Sequence, residues 1–318
     1  NCQRVAAMKI GRGTVLVCGA GGFIGSHMVA HLSREGWNVV GTSRSIGEYA
    51  APLIQSANAT YFSGDLSLPD FTQAVLRKVN PDVIVFAAGP ADVASSFLDP
   101  IKDLKSQVIP FSEVLSACCQ LERKPKVLLL SSAAVYGNPV VLPILESFRT
   151  EPISPYGYHK LLQERLLIEF LNLYELPCAI ARIFSIYGEG FRRLAVWDIT
   201  RRAMKGDYTV RGCGDESRDY LYIDDLMNAL TRILINSPFR GEIINVASGK
   251  ELQIQKLADC IFAALGHNVK ANFDGEQMRG NPIRWKANID KLADFGFKPS
   301  IDLFSGIERT VHWIKRDA

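Results

Sequence analysis

Apolar positions in the first half of the chain fall into short β-branched runs separated by amphipathic stretches, the alternation of a parallel sheet covered by helices. Thr14-Val15-Leu16-Val17-Cys18 reads as a first strand, and Phe23 to Glu35 as a helix that Gly36 stops. Asn38 to Gly41, Ala59 to Phe62 and Val83 to Ala87 read as the next three strands, with a helix from about Pro69 to Lys78 before the last. One long helix running to Leu121 is expected next. Val127 to Ser131 is so uniformly apolar that it belongs at the buried centre of a sheet. A helix from about Tyr156 to Tyr174 and a strand from Cys178 to Arg182 complete the series. Six strands with helical crossovers make a doubly wound parallel α/β sheet.

After residue 184 the alternation loosens. Gly, Arg and aromatic residues gather between Tyr187 and Tyr222, and a second mixed region follows Gly249. The expected division is therefore a Rossmann domain over 1–183 with a return segment at 223–248, and a smaller lobe from 184–222 and 249–318. At roughly 150 residues per domain, 318 residues fit such a two-lobed unit.

Composition narrows the class. The chain is 47% apolar and 22% charged, ordinary for a globular protein. Its 36 Lys+Arg against 33 Asp+Glu leave a net charge of only +3, which argues against a nucleic-acid-coating surface. No run approaches the roughly 18–20 apolar residues that span a bilayer. Seven cysteines, an odd number with no CxxC, support neither a disulfide framework nor a zinc ribbon, and a reducing cytoplasm fits them. His27 and His31 share a helix face but have no acid between them, so no metal site is expected. Asn1 to Met8 has no apolar core and is read as a leftover segment ahead of a start near Met8.

Gly19-Ala20-Gly21-Gly22-Phe23-Ile24-Gly25 lies between the first strand and the first helix, with glycines at 19, 22 and 25. Glycines there permit a tight turn and close backbone approach to a pyrophosphate at the helix N-terminus, the arrangement of a dinucleotide site. An acid after the second strand would bind the ribose 2′-hydroxyl of NAD. The strand instead runs out as Gly41-Thr42-Ser43-Arg44, and Ser43 with Arg44 suits a 2′-phosphate. The expected cofactor is thus NADP(H) in preference to NAD(H).

Tyr156 and Lys160 stand one helical turn apart on one face. An ammonium beside a phenol favours the phenolate and equips it for acid/base work near neutrality. Ser132 follows the central strand, at the carboxyl edge where open α/β sheets bind ligands, and is placed to orient a substrate oxygen.

With these motifs in order, the sequence resembles the extended short-chain dehydrogenase/reductases, in their nucleotide-sugar epimerase/dehydratase/reductase branch. The resemblance spans nearly the whole chain. It takes in the glycine loop, Gly64-Asp65-Leu66, Phe86-Ala87-Ala88, Ser131 to Gly137, Tyr156 to Lys160 and Arg182 to Gly188. Gly212 to Tyr220 matches the family's GxGxxxRDF/Y segment, and Ile223-Asp224-Asp225, Asn245 to Gly249 and Arg279-Gly280-Asn281 match later ones.

The resemblance implies a catalytic set of Ser132, Tyr156 and Lys160. It implies dinucleotide contacts from Gly19, Gly22, Phe23, Ile24, Gly25, Ser43, Arg44, Asp65, Leu66, Ala87, Ala88 and Phe184, as well as Tyr156 and Lys160. Asp65 and Leu66 would meet the adenine and Lys160 the nicotinamide ribose. Ser185, Arg218 and Arg279 occupy substrate positions, the two arginines matching those that hold the nucleotide-sugar diphosphate. A homodimer through the long helix and the Tyr/Lys helix is implied as well, with Leu161, Leu162, Leu166, Leu167 and Phe170 available to its seam. Gln107 stands where the family has asparagine, Pro110 where it has glycine, and Ser185 where asparagine is frequent. Trp197 is open to two readings, a stacking platform or a packed core residue.

Family dehydratases carry Asp-Glu directly after the catalytic Ser/Thr, where this chain has Ala133-Ala134. That excludes dehydration. A ketoreductase acting on a nucleotide-linked 4-keto sugar and a 4-epimerase remain, and Arg44 tilts the expectation to the NADPH-dependent reductase. A non-catalytic dinucleotide-binding regulator is disfavoured because Ser132, Tyr156 and Lys160 are all present.

Overall fold

Seven parallel strands organise the computed structural model, which describes residues 12–276 and 278–317. Cys2 and the reading of residues 1–8 lie outside the described residues. The strands are β1 (Thr14–Cys18), β2 (Asn38–Ser43), β3 (Thr60–Ser63), β4 (Val83–Phe86), β5 (Lys126–Ser132) and β6 (Cys178–Ile183). After them come β7 (Ser185–Tyr187), β8 (Thr209–Val210), β9 (Ser217–Tyr222), β10 (Arg240–Val246), β11 (Glu251–Gln253) and β12 (Asn272–Phe273). The helices of the first half are α1 (Phe23–Arg34), α2 (Ala50–Ser56), α3 (Pro69–Val79), α4 (Val93–Leu98), α5 (Pro100–Cys119) and α6 (Pro155–Tyr174). Those of the second are α7 (Leu194–Ala203), α8 (Ile223–Asn236), α9 (Ile254–Leu265), α10 (Asp290–Asp294) and α11 (Leu303–Asp317).

The main sheet has the order β10-β6-β5-β4-β1-β2-β3, every pair parallel. Consecutive residues of its strands alternate between two cores. Leu128, Leu130, Ala179 and Ala181 pack with Leu226 and Leu230 of α8, while Val127, Leu129, Cys178 and Ile180 pack with Phe111 and Leu115 of α5. Both faces are covered, which is why β5 carries no polar residue between Lys126 and Ser131.

Two expectations are corrected. The sheet has seven strands rather than six, because β10 pairs with the outer edge of β6 from Arg240–Cys178 to Val246–Ile183. Its polar start, Arg240-Gly241-Glu242, and the register shift there break the apolar pattern that marks the other strands. The single helix before β5 is two, α4 and α5. Pro100 cannot continue α4 but fits the first turn of α5, and the Asp99 carboxylate caps that turn by accepting from Lys102 N at 2.9 Å.

A three-stranded sheet, β11-β9-β7, and a short pair, β12-β8, form the lobe beyond the carboxyl edge. Asp219 ties it together: its carboxylate accepts from Ser248 N, Ser248 Oγ and Ala287 N at 2.7–3.1 Å. On α6, Leu167 faces the protein's own core, Leu162 is exposed, and Leu161, Leu166 and Phe170 are half-buried. Among the described residues no helix is long and apolar enough to cross a membrane.

Candidate active site

The carboxyl ends of β1, β2, β4, β5 and β6 converge on one edge of the sheet, and the glycine loop crosses it. Gly19 has φ +87°, and a Cβ there would stand 2.7 Å from Ala87 C. A Cβ on Gly25 would lie 2.1 Å from Gly19 O, and one on Gly21 only 1.9 Å from Ser45 O. These three glycines are required by the loop's own packing. Gly22 differs: a Cβ there would meet only Gly19 O, at 3.4 Å. It is the N-cap of α1 without a capping side chain, and the first turn holds no acid. The unpaired N–H groups of α1 therefore face open space kept clear of side-chain atoms, a cradle that fits a diphosphate.

At the end of β2 the Ser43 hydroxyl is used internally. It accepts from Gly21 N at 3.1 Å, donates to Ser45 O at 2.7 Å and bonds the Tyr61 hydroxyl. That use props the glycine loop and leaves Ser43 poorly suited to the 2′-phosphate contact expected of it. Arg44 is exposed, and its charge acts on Asp65. Asp65 follows β3 with its carboxyl held below the usual range, chiefly by the Ser67 N–H that it accepts at 2.9 Å. Leu66 is buried beneath it, while Ala87 and Ala88, past β4, are half-exposed along the same edge.

Ser132 ends β5 and caps the 3-10 turn Ala133–Tyr136, its hydroxyl accepting from Ala134 N at 3.2 Å. Tyr156 starts α6, capped by Ser154 and fixed by a bond from Tyr156 N to the Ser96 hydroxyl of α4 at 3.1 Å. The Ser132 side chain lies close enough to the Tyr156 phenol to oppose the rise of its pKa. Lys160 is buried one turn on, donating to Leu130 O at 3.2 Å.

The electrostatics differ from the sequence expectation. Burial dominates and pushes the Tyr156 phenol up to about 12, with Ser132 lowering it and Asp103 raising it further. Burial also brings the Lys160 ammonium down to about 8, against the pull of Asp103 and Glu164. The ammonium's partner is the Leu130 carbonyl, and Lys160 is not among the groups acting on the phenol. The residues are together, but desolvation outweighs the expected lowering of the phenol.

On the lobe side, Phe184 is buried between Tyr136 and Trp285, with Ser185 half-exposed after it. Arg218 lies over the Trp285 ring at 5.6 Å and donates to Ser217 O at 2.8 Å. Burial lowers its pKa, and among the described residues no carboxylate pairs with it. Such a guanidinium is a ready anion partner. Arg279 is exposed, 4.3 Å over the Phe97 ring of α4. Trp197, open to two readings, is half-buried and packs against Trp313 of α11 at 5.7 Å. No group of three or more His, Cys, Asp or Glu is arranged for a metal among the described residues, and His27 Nε2 meets the Glu189 carbonyl at 3.0 Å.

Sequence reasoning missed one polar cluster. Asp103 of α5 and His159 of α6 are buried together, with His159 Nδ1 2.5 Å from Asp103 Oδ2 and Gln107 Nε2 donating to both Asp103 oxygens. The spacing of Asp103 and Gln107 is legible on one helix. Nothing in the sequence links them to His159, which is brought there by the packing of α5 on α6.

The family model described as the NAD dependent epimerase/dehydratase family matches residues 15–247. The chain is 29% identical over 310 residues to a UDP-glucose 4-epimerase of Mycolicibacterium smegmatis, covering 94% of this chain and 98% of that one. It is 27% identical over 329 residues to UDP-glucuronate 4-epimerase 1 of Arabidopsis thaliana, covering 94% and 76%. Among solved structures, UDP-glucuronic acid 4-epimerase from Bacillus cereus, in complex with UDP-glucuronic acid and NAD, superposes with a TM-score of 0.88 at 26% identity. That match covers 96% of this chain and 100% of the other. The sheet order, the glycine loop and these matches agree: the chain belongs to the NAD dependent epimerase/dehydratase family, the nucleotide-sugar enzymes of the extended short-chain dehydrogenase/reductase fold.

Proposed function

We propose that the protein is a nucleotide-sugar 4-epimerase that acts on a UDP-linked hexose or hexuronate and retains NAD. The observation that carries the reading is the Ser132–Tyr156–Lys160 group at the carboxyl end of β5, with buried, chemically silent Ala133 and Ala134 where a second acid/base pair would stand. The named activities of the relatives favour epimerisation over the ketoreductase expected from Arg44. The internal use of the Ser43 hydroxyl removes half of the argument for NADP(H), and the Bacillus cereus neighbour binds NAD.

A bound nicotinamide would supply a reversible acceptor for the hydride of the sugar C4. Tyr156 takes the proton from the C4 hydroxyl as the hydride leaves and gives it back when the ketone is reduced from the opposite face. Ser132 hydrogen-bonds the same oxygen, which fixes its distance from the phenol. Lys160 would hold the nicotinamide ribose and place a positive charge beneath the phenolate. Arg218 and Arg279 would hold the diphosphate, a task suited to guanidinium donors.

Gly22→Ala isolates the cradle. Its Cβ disturbs no protein atom, so the unfolding midpoint of the ligand-free protein should hold within a degree or so, while the dinucleotide loses about tenfold or more in affinity. Calorimetric binding and thermal melts check both halves, and unchanged affinity would remove the cradle from the site. The function itself is tested by adding UDP-glucose or UDP-glucuronate to the purified protein without coenzyme and following the sugar H4 by proton NMR. Appearance of the C4 epimer is expected. A requirement for NADPH with a 4-keto substrate would return the ketoreductase.

A further inference from the structure

The segment from Glu189 to Arg193, between β7 and α7, has no part in the roles above, yet it is fastened to both flanks of the glycine cradle. Phe191 is half-buried and stacks on Phe23, the first residue of α1, with ring centroids 4.7 Å apart and planes 20° from parallel. One turn along α1, His27 Nε2 meets the Glu189 carbonyl at 3.0 Å. Gly190 has φ +93°, and a Cβ there would stand 2.2 Å from the Tyr49 ring, so the backbone lies directly on the N-cap residue of α2. Arg192 reaches beyond it, donating to Asp317 of α11 at 2.8 Å and to Glu48 at 3.4 Å.

The last anchor is on the other flank. Arg193 NH1 meets Asp92 Oδ2 at 3.5 Å, and Asp92 caps α4 in the loop that leaves β4. β1 and β4 are neighbours in the sheet, and Gly19 packs against the Ala87–Ala88 backbone. A segment held by Phe23 and Glu48 on one side and by Asp92 on the other therefore crosses the edge where the cradle opens. It leaves that edge through Leu194, the first residue of α7, whose φ of +63° is disfavoured for a side chain with a Cβ. The anchors on either side hold that conformation in place.

We propose that Glu189 to Arg193 form a strap that closes over the bound dinucleotide and sets the rate at which it leaves. This rests on the reading of the protein as an epimerase that retains NAD, and it supplies the means of retention. The stacking of Phe191 on Phe23 is the latch, and the ion pairs of Arg192 and Arg193 fasten the strap on its two flanks. Gly190 and Leu194, with left-handed backbones near its two ends, are the hinges. Each anchor joins protein to protein. Loosening one lowers a barrier without removing a contact to the ligand, so release and uptake accelerate together and affinity changes less than either rate.

The test compares the unaltered protein with Phe191→Ala and with the double variant Arg192→Gln, Arg193→Gln. Each is loaded with NADH and mixed with excess NAD, and the decay of NADH fluorescence gives the release rate. Titration with NADH gives the affinity. Phe191→Ala is expected to speed release by about tenfold or more, with a smaller change in the dissociation constant. The double variant is expected to speed it by about threefold, because exposed ion pairs are weak. Release unmoved by Phe191→Ala overturns the proposal. An affinity that falls as far as release rises also overturns it, since Phe191 would then support binding and would not act as a latch. If Phe191→Ala fails to fold, the double variant, altered only at exposed side chains, decides by the same two outcomes. Release from the unaltered protein within a single turnover would refute retention of NAD, and faster release in the variants would still support the strap.

Discussion

Replacing Tyr156 by phenylalanine is expected to lower turnover by about 10²–10⁴-fold, the range of a positioned acid/base group, while nucleotide and dinucleotide binding are spared. Phenylalanine fills the same buried space at the start of α6, and Tyr156 N keeps its bond to Ser96, so the backbone has no cause to move. What is lost is the phenolic oxygen near Ser132 that would exchange the proton of the C4 hydroxyl. A tyrosine buried only for packing would give the opposite result, a lowered thermal midpoint with turnover intact. Steady-state kinetics and calorimetric titration on the same preparation separate the two.

The largest effect on stability is expected behind the site. Arg182 of β6 and Glu164 of α6 are almost wholly buried, joined by two bonds of 3.0 and 2.7 Å. Ser131 Oγ donates to the same carboxylate, Arg182 NH1 to Glu146 O, and the guanidinium lies over the Tyr136 ring at 4.7 Å. The network pins α6, which carries Tyr156 and Lys160, to the two strands beneath them. Glu164→Gln strands a guanidinium out of water, and such a loss costs about 3 kcal/mol or more. Chemical denaturation should show the fall. Glu164→Gln combined with Arg182→Met should recover part of it, because the uncompensated charge is then gone. If the single variant lost under about 1 kcal/mol, the network would not be what holds the helix.

The strands that read clearly in the sequence are those buried on both faces, because a continuous apolar run has no other explanation there. β5 and β6 are predicted to within a residue or two. β10 escaped because its first half, Arg240-Gly241-Glu242, lies at the sheet edge, where burial does not constrain residue type. The break between α4 and α5 was written in Asp99-Pro100, but helical periodicity across it is stronger than one proline suggests. The site splits along similar lines. Glycines 19, 22 and 25, Ser132, Tyr156 and Lys160 were legible because their chemistry constrains short local spacings. The partnership of Asp103 with His159, and the diversion of Ser43 into the glycine loop, depend on contacts between segments far apart in sequence. No local pattern encodes them, and the reading of Ser43 and Arg44 as a 2′-phosphate site missed that diversion.

The central claim is a redox-neutral inversion at C4 in which the hydride never leaves the protein. The most direct measurement supplies a UDP-hexose or UDP-hexuronate deuterated at C4 to the protein as purified, with no coenzyme added, and follows the label by NMR. The account predicts that deuterium stays on C4 in both epimers while the released dinucleotide is NAD. Loss of the label to solvent, or conversion that proceeds only with consumption of NADPH, would contradict it.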